Sequence, residues 1–140
     1  MIWEIIFSNG TSSKRGVAIL IKNSSKLNPT KTIKDDDGRF IITQIPILNK
    51  NIVLVNLYGP NEDLPSFFQK IFDILENLEN TQLILGGDWN VVQNFEIDRF
   101  GCKNDYKKKS RQLIHSWMEE NSMSDIWRLK NPSLKRYTLI

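Results

Sequence analysis

The stretch Leu83-Ile-Leu-Gly-Gly-Asp-Trp-Asn90 decides how the rest of the chain is interpreted. Three consecutive apolar residues predict a buried strand, and the pair Gly86 and Gly87 permits close approach of backbone or ligand. In extended backbone, Asp88 and Asn90 would project from the same face. A carboxylate there can bind Mg²⁺ or act as a base toward water, and a carboxamide can orient a phosphate. An ordinary strand followed by an Asp/Asn turn explains the same residues, so both interpretations stay open.

A second apolar strand breaks at a similar turn, in Asn56-Leu-Tyr-Gly-Pro-Asn61. Ligands of open α/β sheets favour the ends of strands. The Tyr58 phenol and the Asn61 amide can both donate hydrogen bonds to phosphate oxygens. The structural alternative is that Tyr58 packs at a sheet edge and Asn61 closes a turn.

Apolar spacing predicts the elements around these two segments. Strands are predicted over 2–7, 16–21, 39–45 and 52–58, with the last two joined through Pro46 and the turn 49–51. We expect the sheet to begin as an antiparallel meander. Helical spacing predicts amphipathic helices over 64–78, with Asp63 as a cap, and over 106–120.

Composition describes an ordinary globular chain. Its 140 residues are 40% hydrophobic and 25% charged, which predicts one α/β domain over 1–140 and argues against a disordered or coiled-coil protein. No apolar run approaches the roughly 18 residues of a membrane span, and no secretory signal is recognisable. The single cysteine, Cys102, excludes a disulfide framework. We expect a protein that is not secreted and is nuclear or cytoplasmic, and its net charge of +3 permits a polyanionic partner without requiring one.

The order of several short segments resembles a known family. The matching segments are Arg15–Ile21, Asp37–Phe40, Asn56–Asn61, Gly86–Asn90, Asp98-Arg99, Asp125–Arg128, Pro132 and Tyr137-Thr138. Together they resemble the endonuclease/exonuclease/phosphatase superfamily. Within it, the chain is similar to the apurinic-endonuclease-like domain of non-LTR (LINE-type) retrotransposon polyproteins.

The resemblance implies a four-layer α/β sandwich, a mostly antiparallel sheet packed by helices. It also implies a Mg²⁺-dependent endonuclease that nicks one DNA strand, with DNA as partner and a reverse transcriptase in the same polyprotein. By this resemblance, Asp88 would orient or deprotonate the attacking water and supply part of a metal site, and Asn90 would position water and phosphate. Tyr58 and Asn61 would contact the scissile phosphate, and Thr138 would lie at the DNA-facing surface.

Some motifs of the family have no counterpart in the chain. Its early Asn and its metal-binding Glu would precede Met1, and its terminal Ser-Asp-His motif would follow Ile140. We therefore expect a partial domain, truncated at both ends and inactive alone. His115, the only histidine, does not match the catalytic one and is predicted to be a surface or boundary residue of the second helix.

Two further functions stay open beside the retrotransposon one. The first is a repair-type apurinic endonuclease, or another phosphodiesterase of the superfamily. The second is a non-catalytic remnant or nucleic-acid-binding fragment.

Two charged clusters allow local interpretations. Lys107 and Lys108 belong to a basic cluster near the predicted start of the second helix, where the helix dipole disfavours cations. Contact with a DNA backbone would explain that placement, and a solvated face is the alternative. Asp35, Asp36 and Asp37 lack the alternating spacing of a Ca²⁺ loop and are predicted to form a turn with Gly38.

Overall fold

The structure is a computed structural model that describes residues 3–10, 15–79, 81–98 and 107–135. The described residues form two compact units. The strand unit contains the residues up to Gly59 together with Asn77–Trp89, and the helix unit contains Pro60–Glu76 together with the residues from Asn90 onward. The single domain expected over 1–140 stays a prediction.

The strand unit contains two sheets. Its strands are β1 (Trp3–Asn9), β2 (Gly16–Lys22), β3 (Lys31–Lys34), β4 (Phe40–Ile47), β5 (Lys50–Tyr58) and β6 (Thr81–Asp88). β1 and β2 form an antiparallel pair, and the second sheet has the order β3-β4-β5-β6, with β5 and β6 parallel. The four strands predicted at the start of the chain are confirmed, but the continuous meander was wrong, because β1 and β2 form a sheet of their own.

The two sheets pack face to face around one apolar core. Ile6 and Ile21 from the two-stranded sheet are buried in one cluster with Ile41 and Ile45 of β4. A two-stranded sheet has little stability alone, so burial of one face against a larger sheet is what makes it possible. This requirement explains why β1 and β2 lie over the second sheet instead of extending its edge.

The hairpin between β4 and β5 is tighter than predicted. Its turn is Leu48 and Asn49, and Leu48 has a positive φ of 55°. The predicted turn through Pro46 and 49–51 was therefore wrong, since Pro46 pairs with Asn51 inside the ladder. Pairing of β3 with β4 stops at Gln44, so the missing N–H of Pro46 removes no bond to β3.

β6 is a less buried strand than its sequence predicts. The strand is longer than its apolar core, since it continues through both glycines to Asp88. Leu83 and Leu85 are half-buried, and Ile84 is 56% exposed. Alternate residues of β6 are exposed, so its uniform apolarity is not matched by burial on both faces.

The helix unit is built on two helices whose existence was predicted. α1 (Pro65–Glu76) and α3 (Lys108–Glu120) pack together through the stacked rings of Phe72 and Trp117, whose centroids are 4.2 Å apart. His115 is exposed on α3, as predicted. The short helices α2 (Phe95–Asp98) and α4 (Ile126–Lys130) were not predicted, because four or five residues show no apolar period.

Regular structure continues almost to the end of the described chain. The Asp125 carboxylate caps α4 by accepting a hydrogen bond from the Arg128 N–H at 2.9 Å. The Arg128 guanidinium pairs with Asp98 of α2, which joins two segments on which the family resemblance rests. The loop predicted at Asn131 and Pro132 is confirmed.

No helix in the described ranges is long and apolar enough to cross a membrane.

Candidate functional site

Two of the predicted site residues end neighbouring strands of the strand unit. β5 and β6 are parallel, and their last residues, Tyr58 and Asp88, are register partners. Side chains of register partners point to the same face of a sheet, so the phenol and the carboxylate lie on one face at the carboxyl ends of both strands. Tyr58 is half-buried and Asp88 is exposed. The Asp88 carboxylate is therefore accessible from solvent at the end of the strand that neighbours Tyr58.

Glycine is required at two positions at the ends of β5 and β6. Gly87 has a φ of +122°, and a Cβ there would lie 2.1 Å from the Leu57 carbonyl oxygen. The Gly59 N–H donates to the Asp88 carbonyl oxygen at 2.7 Å, and a Cβ on Gly59 would lie 2.0 Å from the Trp89 carbonyl oxygen. The sequence predicts close approach of backbone or ligand at Gly86 and Gly87. In the structure the approach is between backbones, and Gly87 makes it with Leu57.

Gly59 and Arg39 were missed by the sequence analysis. Gly59 could have been identified from its place in the sequence, directly after Tyr58 at the end of a predicted strand. Arg39 holds that strand end, because its carbonyl accepts from the Tyr58 N–H at 2.7 Å and its guanidinium lies 5.9 Å from the centre of the phenol ring. Arg39 itself follows the turn predicted at Asp35–Gly38, which is confirmed by the Gly38 N–H bond to the Asp35 carbonyl at 3.1 Å. No periodic pattern marks such a contact in advance.

The geometry predicted for Asn90 was wrong. β6 ends at Asp88, and Asn90 has a φ of 52°, in the left-handed region that Asn tolerates better than most residues. The alternation of an extended strand therefore does not reach Asn90. Within the helix unit, the Asn90 amide donates to the Asn61 side-chain oxygen at 3.4 Å. The structure thus brings together two side chains that were predicted from separate segments.

Lys107 is bound to the same two loops. Its ammonium group donates to the Pro60 carbonyl oxygen at 2.9 Å and also to the Asn90 carbonyl oxygen. Lys107 is half-buried, whereas Lys108, the first residue of α3, is exposed. The predicted DNA contacts of Lys107 and Lys108 are untested, and the Lys107 ammonium group already has two protein partners.

Asp63 caps a different helix from the one predicted. Its carboxylate accepts from the backbone N–H of Lys109 at 3.1 Å and from that of Ser110 at 2.9 Å, at the start of α3. The Ser110 hydroxyl donates to the same carboxylate at 2.6 Å. The expected cap of α1 was wrong because these N–H groups, 46 and 47 residues away, bind the carboxylate instead.

These bonds also shift the acidity of Asp63. Partial burial opposes its ionisation, but the hydrogen bonds from Ser110 and Lys109 outweigh that effect, so the pKa of the Asp63 carboxyl lies below its usual value. A carboxylate at a helix N-terminus also compensates the helix dipole. The cations at the start of α3 are therefore accompanied by a fixed anion.

The described residues do not make a metal centre by themselves. None of them form a group of three or more His, Cys, Asp or Glu side chains that could hold a metal ion. Asp88 can supply one oxygen ligand to Mg²⁺, whose remaining ligands would come from water and phosphate. Thr138, predicted at a DNA-facing surface, and Cys102 lie outside the described residues.

No protein-family model matches this sequence. Among solved structures, the chain is similar to the AP endonuclease LMAP from Leishmania major, with 18% identity and a TM-score of 0.74 over 99% of this chain and 54% of that chain. It is also similar to the endonuclease domain of TRAS1, a telomere-specific non-LTR retrotransposon, with 16% identity and a TM-score of 0.59 over 86% of this chain and 53% of that one. The chain thus spans about half the length of each structure. The chain contains two packed sheets and helices, and it matches both structures over most of its length. It therefore has the endonuclease/exonuclease/phosphatase-type fold.

Proposed function

We propose that this chain belongs to an enzyme that hydrolyses phosphodiester bonds in DNA. The observation that carries the proposal is the pairing of Tyr58 with Asp88 at the carboxyl ends of two parallel strands. Strand ends of this kind are where α/β proteins bind ligands. The similar solved structures are named as endonucleases, which supports the same reaction class.

Asp88 is the proposed base of the reaction. An exposed carboxylate can accept a proton from water or hold that water in line with a phosphorus atom. The Tyr58 phenol, on the same face, is proposed to donate a hydrogen bond to a phosphate oxygen, where negative charge develops during attack. Backbone hydrogen bonds from Tyr58 to Arg39 and from Gly59 to Asp88 hold the strand ends that carry both groups.

The amide pair of the helix unit is proposed to bind phosphate groups of DNA. Asn61 and Asn90 each carry two N–H donors and one carbonyl acceptor, and their mutual bond uses one donor and one acceptor. The oxygen of Asn61 accepts this bond, so the N–H groups of Asn61 are proposed to donate to phosphate oxygens or to orient water. Lys108 is exposed, and we propose that it contacts the DNA backbone electrostatically. We also propose that Thr138 lies at the DNA-facing surface.

The requirement for Mg²⁺ stays a prediction. The described residues supply no cluster of ligands for it. Dependence of nicking on Mg²⁺, and its loss in chelator, is the direct measurement of this requirement.

The two similar structures support different biological settings. Likeness to the TRAS1 domain supports an endonuclease of a non-LTR retrotransposon. Nicking of one target strand, a nuclear location and a reverse transcriptase in the same polyprotein are proposed from the sequence resemblance alone. Likeness to the Leishmania protein supports a second candidate, cleavage at apurinic sites in repair. We propose the first, since the sequence segments resemble the retrotransposon branch.

A nicking assay tests the proposal. The 140-residue chain, and any longer natural polypeptide that contains it, is incubated with supercoiled plasmid and with a duplex carrying one abasic site, in Mg²⁺ and in chelator. We expect nicks that leave a 3′ hydroxyl, detected by polymerase extension, in intact plasmid. Cleavage confined to the abasic duplex would favour the repair function. Absence of cleavage of both substrates by the natural polypeptide would contradict the proposal, and the assay also checks the expectation that the 140 residues are inactive alone.

A further inference from the structure

We propose that Lys107 is a positioning residue that holds the amide pair Asn61 and Asn90, and that it does not contact DNA. The expected effect of Lys107 on catalysis rests on the proposed function, whereas its effect on the positions of the two loops does not. The basis is the direction of the Lys107 ammonium group, which donates to two backbone carbonyls of the helix unit, those of Pro60 and Asn90.

These two carbonyls belong to the two loops that carry the amides. Pro60 precedes Asn61 directly, and the second carbonyl is that of Asn90 itself. One ammonium group therefore links both loops, while the side chains of Asn61 and Asn90 form a second link between them at 3.4 Å. Removal of the ammonium would remove two hydrogen bonds that join the loops and keep the longer amide contact.

Lys107 is itself held in place by helix α3 and by the loop after Pro60. It precedes α3, and its carbonyl oxygen accepts the Arg111 N–H at 3.0 Å as the first turn of that helix forms. The start of the helix is fixed to the loop after Pro60, because Asp63 accepts hydrogen bonds from Lys109 and Ser110. The carboxylate of Asp63 and the ammonium of Lys107 thus tie the same loop to the same helix end.

Contact of Lys107 with DNA would disrupt this arrangement. Pro60 is buried and Asn90 is half-buried, and buried carbonyls need hydrogen-bond partners. An ammonium group that turned toward a phosphate would leave both carbonyls without this donor. Asn90 also holds a φ of 52°, a conformation that persists when surrounding contacts impose it.

Its neighbour Lys108 offers a matched control. Lys108 is exposed and Lys107 is half-buried, although both carry the same charge at adjacent positions. A lysine that contacts a phosphate contributes about one unit to the slope of log K against log salt concentration. A lysine that positions two loops contributes nothing to that slope, so the salt dependence separates the two roles.

The test compares wild type, Lys107→Met, Lys107→Arg and Lys108→Met by two measurements. Hydrogen–deuterium exchange is followed by mass spectrometry in residues 60–63 and 90–94, with β4 and β5 as the reference for intact folding. Binding of a fluorescent 20-base-pair DNA duplex is measured at several salt concentrations. Where nicking is detected, kcat and KM are measured as well.

We expect Lys107→Met to raise exchange several-fold in both segments, to leave the salt slope unchanged, and to lower kcat more than KM. Lys107→Arg should restore protection, because its guanidinium can donate to both carbonyls. Lys108→Met should leave exchange unchanged and reduce the slope by about one. Unchanged exchange in Lys107→Met, or a slope reduced by about one in that variant, would overturn the proposal.

Two further outcomes distinguish failure of the Lys107 proposal from failure of the proposed function. If Lys107→Met does not fold, Lys107→Gln replaces it and the same measurements decide. If the longest natural polypeptide that contains the chain neither binds nor nicks DNA, the proposed function is contradicted, and exchange alone decides whether Lys107 positions the loops.

Discussion

The strand unit and the helix unit hold their candidate functional groups in different ways. In the strand unit, the ends of β5 and β6 are fixed by backbone contacts that only glycine permits, at Gly59 and Gly87. In the helix unit, the loops at Asn61 and Asn90 are fixed by charged side chains, Lys107 and Asp63. Backbone contacts carry no titratable group and are disrupted when a glycine gains a side chain, whereas side-chain contacts are lost when one charged group is removed. The two units should therefore respond differently to substitution, pH and salt.

The largest expected effect is that of Gly87→Ala. The new Cβ would overlap the Leu57 carbonyl oxygen, and the φ of +122° is strained for any residue with a Cβ. We expect a loss of about 3 kcal/mol or more in the free energy of unfolding, measured by urea denaturation. Gly86→Ala is the matched control, because nothing lies within 4 Å of its Cβ. Equal losses in both variants would show that close approach of the backbones is not the reason for glycine.

Asp63→Ala should have the next largest effect. It removes a carboxylate that accepts three hydrogen bonds at the start of α3. Loss of a helix cap costs about 0.5 to 2 kcal/mol, and we expect the upper part of that range in urea denaturation. Asp36→Ala, in the exposed turn before β4, is the control and should change stability by less than about 0.5 kcal/mol. A loss for Asp63→Ala no larger than that of the control would contradict the capping role.

The same carboxylate predicts a dependence on pH. Since the pKa of Asp63 is lower in the folded chain than its usual value of about 3.9, ionised Asp63 stabilises the fold fully above that value. The stabilisation is lost as pH falls through the folded pKa. Asp63→Asn should therefore lose less stability than wild type between pH 6 and pH 3, in parallel urea titrations. Identical pH profiles would show that Asp63 does not titrate in a perturbed environment.

Arg39→Ala should have the smallest effect. The guanidinium lies over the Tyr58 ring and donates to its carbonyl oxygen at 3.4 Å, while the stronger link between the two residues is a backbone hydrogen bond that alanine keeps. We expect a loss of about 0.5 to 1 kcal/mol in thermal or urea unfolding. A loss comparable to that of Gly87→Ala would mean that side chains, and not the backbone, hold the strand ends.

Sequence patterns predicted the parts of the fold that local periodicity controls. The strands at the start of the chain, the helices α1 and α3 and the turn before Arg39 followed from apolar spacing and turn residues. β3 was missed because Ile33 is its only apolar residue, and β6 was predicted to be too buried because apolarity does not reveal which strands cover a face. The separate sheet of β1 and β2 depends on packing between faces, which alternation along one strand does not show.

The candidate site likewise contains residues that the sequence predicted and contacts that it did not. Turn residues after strands identified Tyr58, Asn61, Asp88 and Asn90, and the register of β5 with β6 pairs two of them. The left-handed backbone of Asn90 and the partners of Lys107 and Asp63 were not predictable, since those partners lie 17 to 47 residues away. A contact between a side chain and a distant backbone group leaves no repeat in the sequence.

The nicking rate of Asp88→Ala tests the proposed active site most directly. It is compared with Asp36→Ala and His115→Ala, which change exposed residues of a turn and a helix, in the longest natural polypeptide that nicks plasmid DNA. We predict a loss of at least about 100-fold for Asp88→Ala, with an unchanged circular dichroism spectrum, and rates within a few-fold of wild type for the two controls. A folded Asp88→Ala protein that nicks DNA at the wild-type rate would contradict the assignment of catalysis to the end of β6.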